Sequence, residues 1–179
     1  MAVTSYAVLG GTGALGAALA RRLAAKGHLV WIGSRDPDKG RAFAADLGDR
    51  VRGGGLEEAA AAGEMIFVTV PYAAHAETLA QVRKAARGKI VVDATVPLKP
   101  PKVGTVQLPA AGCAAVEGAQ ILGGECRVVS ALQTIGAEKL ASGKPIDADV
   151  LVAGDDSEAV EAVRAVLGEL ALRSWNVGP

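Results

Sequence analysis

Aromatic residues make up only 3% of this 179-residue sequence, two each of Trp, Tyr and Phe, although half of the chain is hydrophobic. A core must therefore be built from Ala, Val, Leu and Ile, with Ala-rich helices lying close to a sheet. Neither sign of charge predominates: 19 Lys and Arg balance 19 Asp and Glu, interspersed, so no basic stripe suited to nucleic acid forms. No run approaches the roughly 18 consecutive apolar residues of a membrane span. The opening residues carry no charged segment followed by a long apolar stretch, so no signal peptide is expected and a cytoplasmic protein is the default. Cysteine is scarce as well. Cys113 and Cys126 lie outside any CxxC or His-rich context, which predicts small core residues rather than a disulfide or a metal site.

What is present is a rhythm. Short apolar runs alternate with Ala-rich helical segments, the pattern of a parallel α/β sheet. Strands are predicted at "YAVLG", "HLVWIG", "RVRGG", "EMIFVTVP", "KIVVDATVP", "CRVVSALQT" and "ADVLVAG". Helices are predicted between them, with Leu15, Leu19 and Leu23 at helical spacing in the first and "SEAVEAVRAVLGELA" as the last. Asp155 and Asp156 precede that last helix, as an N-cap and early acid or, alternatively, as a catalytic carboxylate pair. "VPLKPPKVGTVQLP", residues 96–109, holds four prolines and no periodicity and reads as an irregular loop that lines a site or meets a partner. The closing "LRSWNVGP" receives no assignment. No repeat or linker divides the chain, so a single domain over residues 1–179 is expected.

"GTGALG" sets Gly11, Gly13 and Gly16 in the G-x-G-x-x-G pattern, directly after a predicted strand and at the start of a helix. In such a loop Gly11 permits the tight turn, Gly13 lets backbone approach a pyrophosphate, and Gly16 lets helix and strand pack closely. The N–H groups of Gly13, Ala14 and Leu15 would then point at phosphate, with the Thr12 hydroxyl beside them. A glycine-rich turn without a ligand is the plainer alternative. The expected fold is a Rossmann-type, doubly wound and mostly parallel sheet with helices on both faces.

The end of the second strand discriminates between dinucleotides. About 20 residues past the loop, an NAD protein usually presents an acid to the ribose hydroxyls. Here Ser34 and Arg35 occupy that place, with Lys39 close by, a set of donors suited to the 2′-phosphate of NADP(H). Asp36 precedes Pro37 at the start of a helical run, so it reads as an N-cap whose carboxylate is committed to backbone N–H groups. Otherwise Arg35 and Lys39 are solvated surface charges.

Most dehydrogenases of alcohols or hydroxy acids also need a proton donor or acceptor beside the hydride. Tyr72 is not followed by Lys four residues later, and His28 begins a strand away from the expected site. His75 follows "VTVPY" at the carboxyl end of a strand, where it either caps a helix or touches a substrate. The composition of the site favours an acceptor that needs little acid–base help, such as a flavin-like ring stacked on nicotinamide.

In combination, "LGGTGALG", "GSRDPDK", "VTVPYAAHA", "KIVVDATVP", "VVSALQTIGA" and "VLVAGDD" resemble the NADPH-dependent oxidoreductases of the deazaflavin coenzyme F420. The resemblance covers nearly the whole chain. It implies an NADP(H) site at Thr12, Gly13, Ala14, Leu15, Ser34, Arg35 and Lys39, with walls near Val70, Pro71, Val96 and Ala137. It also implies a deazaflavin co-substrate facing Gln133 to Ala137, with His75, Gln133 and Ile135 as candidate substrate contacts. Hydride then passes directly between rings, with no catalytic side chain and no metal, although His75 remains a possible participant. Gln133 and Gly136 stand where the family commonly has His and Pro, and Gln can hydrogen-bond a ring carbonyl but cannot titrate near neutral pH. Family sequences continue past Gly178 and Pro179, and a homodimer is expected. Two other functions fit the residues: an NADP-binding sensor without an acceptor site, and a reductase of another small substrate with His75 as proton donor.

Overall fold

The computed structural model describes residues 5–98, 101 and 106–179. Most of the predicted proline-rich loop, residues 96–109, is within these bounds, and the remainder of it lies outside the described residues. Leu98 and Val106 form an isolated antiparallel bridge at its base.

Fifteen elements run along the described residues: β1 (Ser5–Leu9), α1 (Ala14–Ala25), β2 (Leu29–Ser34), α2 (Pro37–Ala45), β3 (Val51–Gly55), α3 (Leu56–Ala62), β4 (Met65–Val68), α4 (Tyr72–Val82), β5 (Ile90–Asp93), α5 (Ala114–Leu122), β6 (Arg127–Ser130), α6 (Ala137–Ala141), β7 (Asp149–Val152), α7 (Ser157–Glu169) and β8 (Arg173–Asn176). Six strands form one parallel sheet in the order β3-β2-β1-β4-β5-β6. The order reverses between β1 and β4, and in open α/β sheets the crevice beyond the carboxyl ends at such a switch point is where ligands bind.

Buried strands of this kind are apolar on both faces. Along β1, Tyr6 and Val8 join one core cluster while Ala7 and Leu9 join the other; along β4, Met65 and Phe67 alternate with Ile66 and Val68 in the same way. The first cluster takes Leu19 and Leu23 of α1, Ala44 of α2, Leu140 of α6 and Leu167 of α7. The second takes Leu56 and Ala59 of α3, Leu79 and Val82 of α4, and Leu122 of α5. The sheet is thus covered on both faces, as the alternation of strands and helices predicts.

β8 is the element the sequence leaves unassigned. It pairs in parallel with β7 in a separate two-stranded sheet, and Ala153, directly after β7, forms an antiparallel bridge to Ser130 at the end of β6 in the main sheet. The predicted strand over residues 126–134 is shorter than expected. It stops at Ser130, and Leu132, buried, takes a left-handed φ of 77°.

The cysteine expectation needs correction. Cys113 is exposed at the N-cap of α5, because that cap lies at the surface and its side chain points away from the core. Cys126 is partly buried and donates through Sγ to the Ala86 carbonyl at 3.2 Å. His28 serves the scaffold. It sits edge-on to Tyr6 at 5.0 Å between ring centres, and its Nε2 lies 2.7 Å from Glu169 of α7.

Candidate dinucleotide and acceptor clefts

At the switch point a cleft of about 280 Å³ opens between the glycine loop, the end of β2 and the end of β4. The loop owes its shape to close packing. Gly10 takes a φ of 79° and donates its N–H to Gly33 O at 2.9 Å, so the tight turn falls on Gly10 and not on Gly11. Gly11 is needed for proximity instead, since a Cβ there would lie 2.7 Å from Ile32 Cδ1 and 2.9 Å from Val8 O. A Cβ on Gly16 would lie 2.6 Å from Thr69 Oγ1 and 2.7 Å from Gly10 O, so only glycine lets α1 begin directly behind the loop. Gly13 spends its N–H on Gly10 O at 2.9 Å, and the first helical bond runs from Ala17 N–H to Gly13 O. The expected contribution of the Gly13 N–H is therefore lost to the turn. Ala14 and Leu15, in the first turn of α1, keep N–H groups that a helix leaves unpaired at its start. These groups carry the positive end of the helix dipole.

Across the cleft, Ser34 ends β2 with 9% of its surface exposed, and its Oγ accepts the Asp36 N–H at 3.2 Å. The Ser34 hydroxyl proton is thereby left to donate elsewhere. Asp36 is the N-cap of α2: its Oδ1 accepts from Asp38 N at 3.1 Å and from Lys39 N at 3.2 Å, and Pro37 occupies the first helical position. Arg35 and Lys39 are exposed on the rim and make no ion pair among the described residues. The helix α2 lies close enough to place Lys39 here because β3 and α2 meet glycine to glycine, with Gly53 and Gly40 in backbone contact. One hydroxyl and two uncommitted cations, with the nearby carboxylate turned to backbone, form a donor set for a dianionic phosphate.

The structure brings Thr12, Gly13, Ser34, Arg35, Lys39, Val70 and Pro71 to this one cleft. Sequence reasoning missed Leu56, Thr69 and Ala74, which also line it. Thr69 is the informative omission. Its Oγ1 donates to Leu9 O at 2.8 Å, which ties the end of β4 to the end of β1 beneath the glycine loop. The strand-ending "VTVP" was the available signal.

A second cleft of about 200 Å³ lies beyond the end of β5, lined by Thr95, Val96, Pro97, Cys113, Ser130 and Gln133 among others. Gln133 is exposed and donates through Nε2 to Asp93 O at 2.8 Å and Ser130 Oγ at 2.9 Å. Val96 thus belongs with Gln133 and not with the glycine loop.

Six residues expected from the sequence line neither cleft: Gly11, Ala14 and Leu15 of the glycine loop and first helical turn, and Ile135, Ala137 and His75. Ile135 is 5% exposed and packs in the first core cluster, because the turn after β6 folds inward at Leu132. Ala137 opens α6, which is docked on α1 through Arg22 Nε donating to Leu140 O at 2.6 Å. His75 is fully buried, with Nε2 2.7 Å from Asp93 Oδ2, so it is not placed to touch a substrate or hand it a proton directly.

Comparison with known proteins agrees with this geometry. A profile of the family described as NADP oxidoreductase, coenzyme F420-dependent, matches residues 5–97. The F420-dependent NADP reductase of Methanothermobacter thermautotrophicus is 37% identical over 93% of this chain and 77% of its own length. The protein of the same name from Methanocaldococcus jannaschii is 35% identical over 88% and 75%. Among solved structures, a hypothetical protein of Sinorhizobium meliloti has a TM-score of 0.84 at 27% identity, covering 98% of this chain and 85% of that one. A candidate F420-dependent NADP reductase of Arthrobacter has a TM-score of 0.80 at 26% identity, covering 97% and 84%. Profile, relatives and neighbouring structures converge, and the chain belongs to the family of F420-dependent NADP oxidoreductases.

Proposed function

We propose that this protein transfers hydride between NADP(H) and the deazaflavin coenzyme F420. The observation that carries the reading is the Ser34, Arg35 and Lys39 donor set, which faces the glycine loop across a single cleft with Asp36 withdrawn into a helix cap. Ser34, Arg35 and Lys39 hold the 2′-phosphate, while Thr12 and the N–H groups of Ala14 and Leu15 meet the pyrophosphate. Val70, Pro71 and Val96 form the walls toward the nicotinamide end, and Gln133 meets the deazaflavin. The bound nicotinamide supplies or accepts the hydride. The chain's own task is to hold the two rings in register and keep water out, a contribution of proximity and orientation.

The family relatives carry F420 and NADP in their names, which supports the choice of acceptor. The alternative in which His75 protonates a small carbonyl or imine loses its donor to the interior. Mixing the protein with NADPH and oxidised F420 and following the deazaflavin absorbance tests the reading. Turnover well above that with FMN is expected, and no turnover above background overturns it.

We read the chain as one dinucleotide-binding domain, working in the cytoplasm as a homodimer. Among the described residues no helix is long and apolar enough to cross a membrane. Leu151 and Trp175 pair across β7 and β8 with 47% and 54% of their surfaces exposed, and Val177 follows at 56%. An apolar patch of this kind suits a second copy of the chain. Trp175→Lys is expected to shift the protein from dimer to monomer in sedimentation analysis; a wild type that sediments as a monomer contradicts the assignment.

A further inference from the structure

A buried polar cluster stands behind the two clefts. His75, in the first turn of α4, is 0% exposed, and its Nε2 lies 2.7 Å from Oδ2 of Asp93, which is 1% exposed. Asp93 closes β5 and serves three further bonds. Its Oδ1 accepts the Thr95 N–H at 2.9 Å, and its carbonyl accepts from Ala131 N at 3.2 Å and from Gln133 Nε2 at 2.8 Å. On its other side His75 Nδ1 lies 3.8 Å from Glu117 of α5 and has no hydrogen-bond partner among the described residues. Burial and the neighbouring Glu117 carboxylate push the Tyr72 hydroxyl above its ordinary pKa, and the Tyr72 ring stacks on the imidazole at 6.1 Å between centres. A Cβ on Gly118 would lie 3.3 Å from Asp93 Oδ2 and 3.4 Å from the imidazole, so glycine there lets α5 close over the pair.

A buried imidazole–carboxylate pair is not an economical way to stabilise a core, since well-packed apolar side chains fill such space at least as well. Its distinctive property is direction. One end of the pair sits in the turn that carries Pro71 and Ala74, which line the dinucleotide cleft. The other end holds the backbone of Thr95 and the side chain of Gln133, which line the second cleft beside Val96. Gln133 is itself delivered by the left-handed turn at Leu132. The His75–Asp93 hydrogen bond therefore adds a buried side-chain tie between two walls whose strands, β4 and β5, already run side by side.

We propose that His75 is a positioning residue: through Asp93 it fixes the Thr95, Val96 and Gln133 wall against the Pro71 and Ala74 wall, and so sets the gap across which hydride moves. The step from wall spacing to hydride transfer rests on the function proposed above. The role is distinct from that of a proton donor, because His75 touches neither cleft.

The test compares His75→Leu, His75→Asn and His75→Gln with the wild type. Gln carries an amide N–H near the place of the imidazole Nε2 and can still donate to Asp93, whereas Asn is too short and Leu has no donor. Affinity for 2′,5′-ADP, which occupies only the phosphate-binding half, is expected to stay within about twofold in all variants. The fall in kcat with NADPH and F420 is expected to be about fivefold in the Leu and Asn variants, with KM for NADPH little changed, and to be largely reversed in the Gln variant. The fluorescence enhancement of bound NADPH, which needs no acceptor, should follow the same order. If the Leu variant does not fold, the Asn and Gln pair carries the comparison. An unchanged kcat and fluorescence in the Leu and Asn variants overturns the proposal, as does a Gln variant no better than Asn. Loss of 2′,5′-ADP affinity in step with thermal stability also overturns it, since that marks a purely structural role. If the wild type fails to reduce F420, the functional reading falls, and NADPH fluorescence still decides the role of His75.

Discussion

Arg35→Ala is expected to weaken NADP(H) binding by about tenfold or more while leaving NAD(H) binding within about twofold, because a hydrogen bond to a charged group contributes about 1.5–3 kcal/mol. The asymmetry follows from what surrounds the residue. Arg35 sits on the rim of the cleft with no ion pair among the described residues, so no internal partner is left stranded by its removal. Ser34 and Lys39 remain, and they keep part of the affinity for the 2′-phosphate. Only the cofactor that carries that phosphate registers the loss. Titration of each dinucleotide into wild type and variant measures it. Equal weakening of both would mean that Arg35 reads the pyrophosphate or the adenine, and the assignment of the 2′-phosphate site would fail.

Gly16→Ala is expected to have a broader effect. Its added Cβ would meet Thr69 Oγ1 at 2.6 Å and Gly10 O and Gly11 Cα at 2.7 Å. The last two are backbone atoms of the glycine loop, so the clash is relieved only by pushing α1 away from the loop it is meant to cap. Overpacking of this kind costs about 1–3 kcal/mol, which for a chain of this size lowers Tm by several degrees. The displaced helix start also withdraws the N–H groups of Ala14 and Leu15 from the pyrophosphate. NAD(H) and NADP(H) binding should therefore fall together, in contrast to Arg35→Ala. A variant with unchanged Tm and unchanged affinities would show that the loop yields more easily than its packing indicates.

Much of this was legible in the sequence, and the reason is locality. The glycine loop, the Ser34-Arg35 pair and the Asp36-Pro37 cap are each read within a few residues, and the carboxylate of Asp36 does bind the N–H groups two and three residues ahead. The alternation of apolar strands with Ala-rich helices likewise carries the six-stranded parallel sheet. What was not legible depends on chain reversal. Thr69 and Leu56 enter the cleft only because β4 and α3 return beside β1. β8 escaped notice because "RSWN" has neither an apolar run nor a buried face to mark it, and three of its four residues are exposed. Ile135 reads as a cleft residue by its place in a motif, but the positive φ at Leu132, unusual for a residue with a Cβ, turns it into the core. His75 is the sharpest case. Its position after a strand reads as either a helix cap or a substrate contact, whereas Asp93 and Glu117, which come from two later elements, lie against it in the interior.

Hydride is expected to pass directly between NADPH and F420, bound at the two clefts. NADPH carrying deuterium at both nicotinamide C4 positions, mixed with oxidised F420 and the protein in ordinary water, tests it in a single turnover. The account predicts that the reduced deazaflavin recovered by mass spectrometry contains one deuterium from the nicotinamide. Deuterium released to solvent, or a deazaflavin reduced without the label, would contradict it.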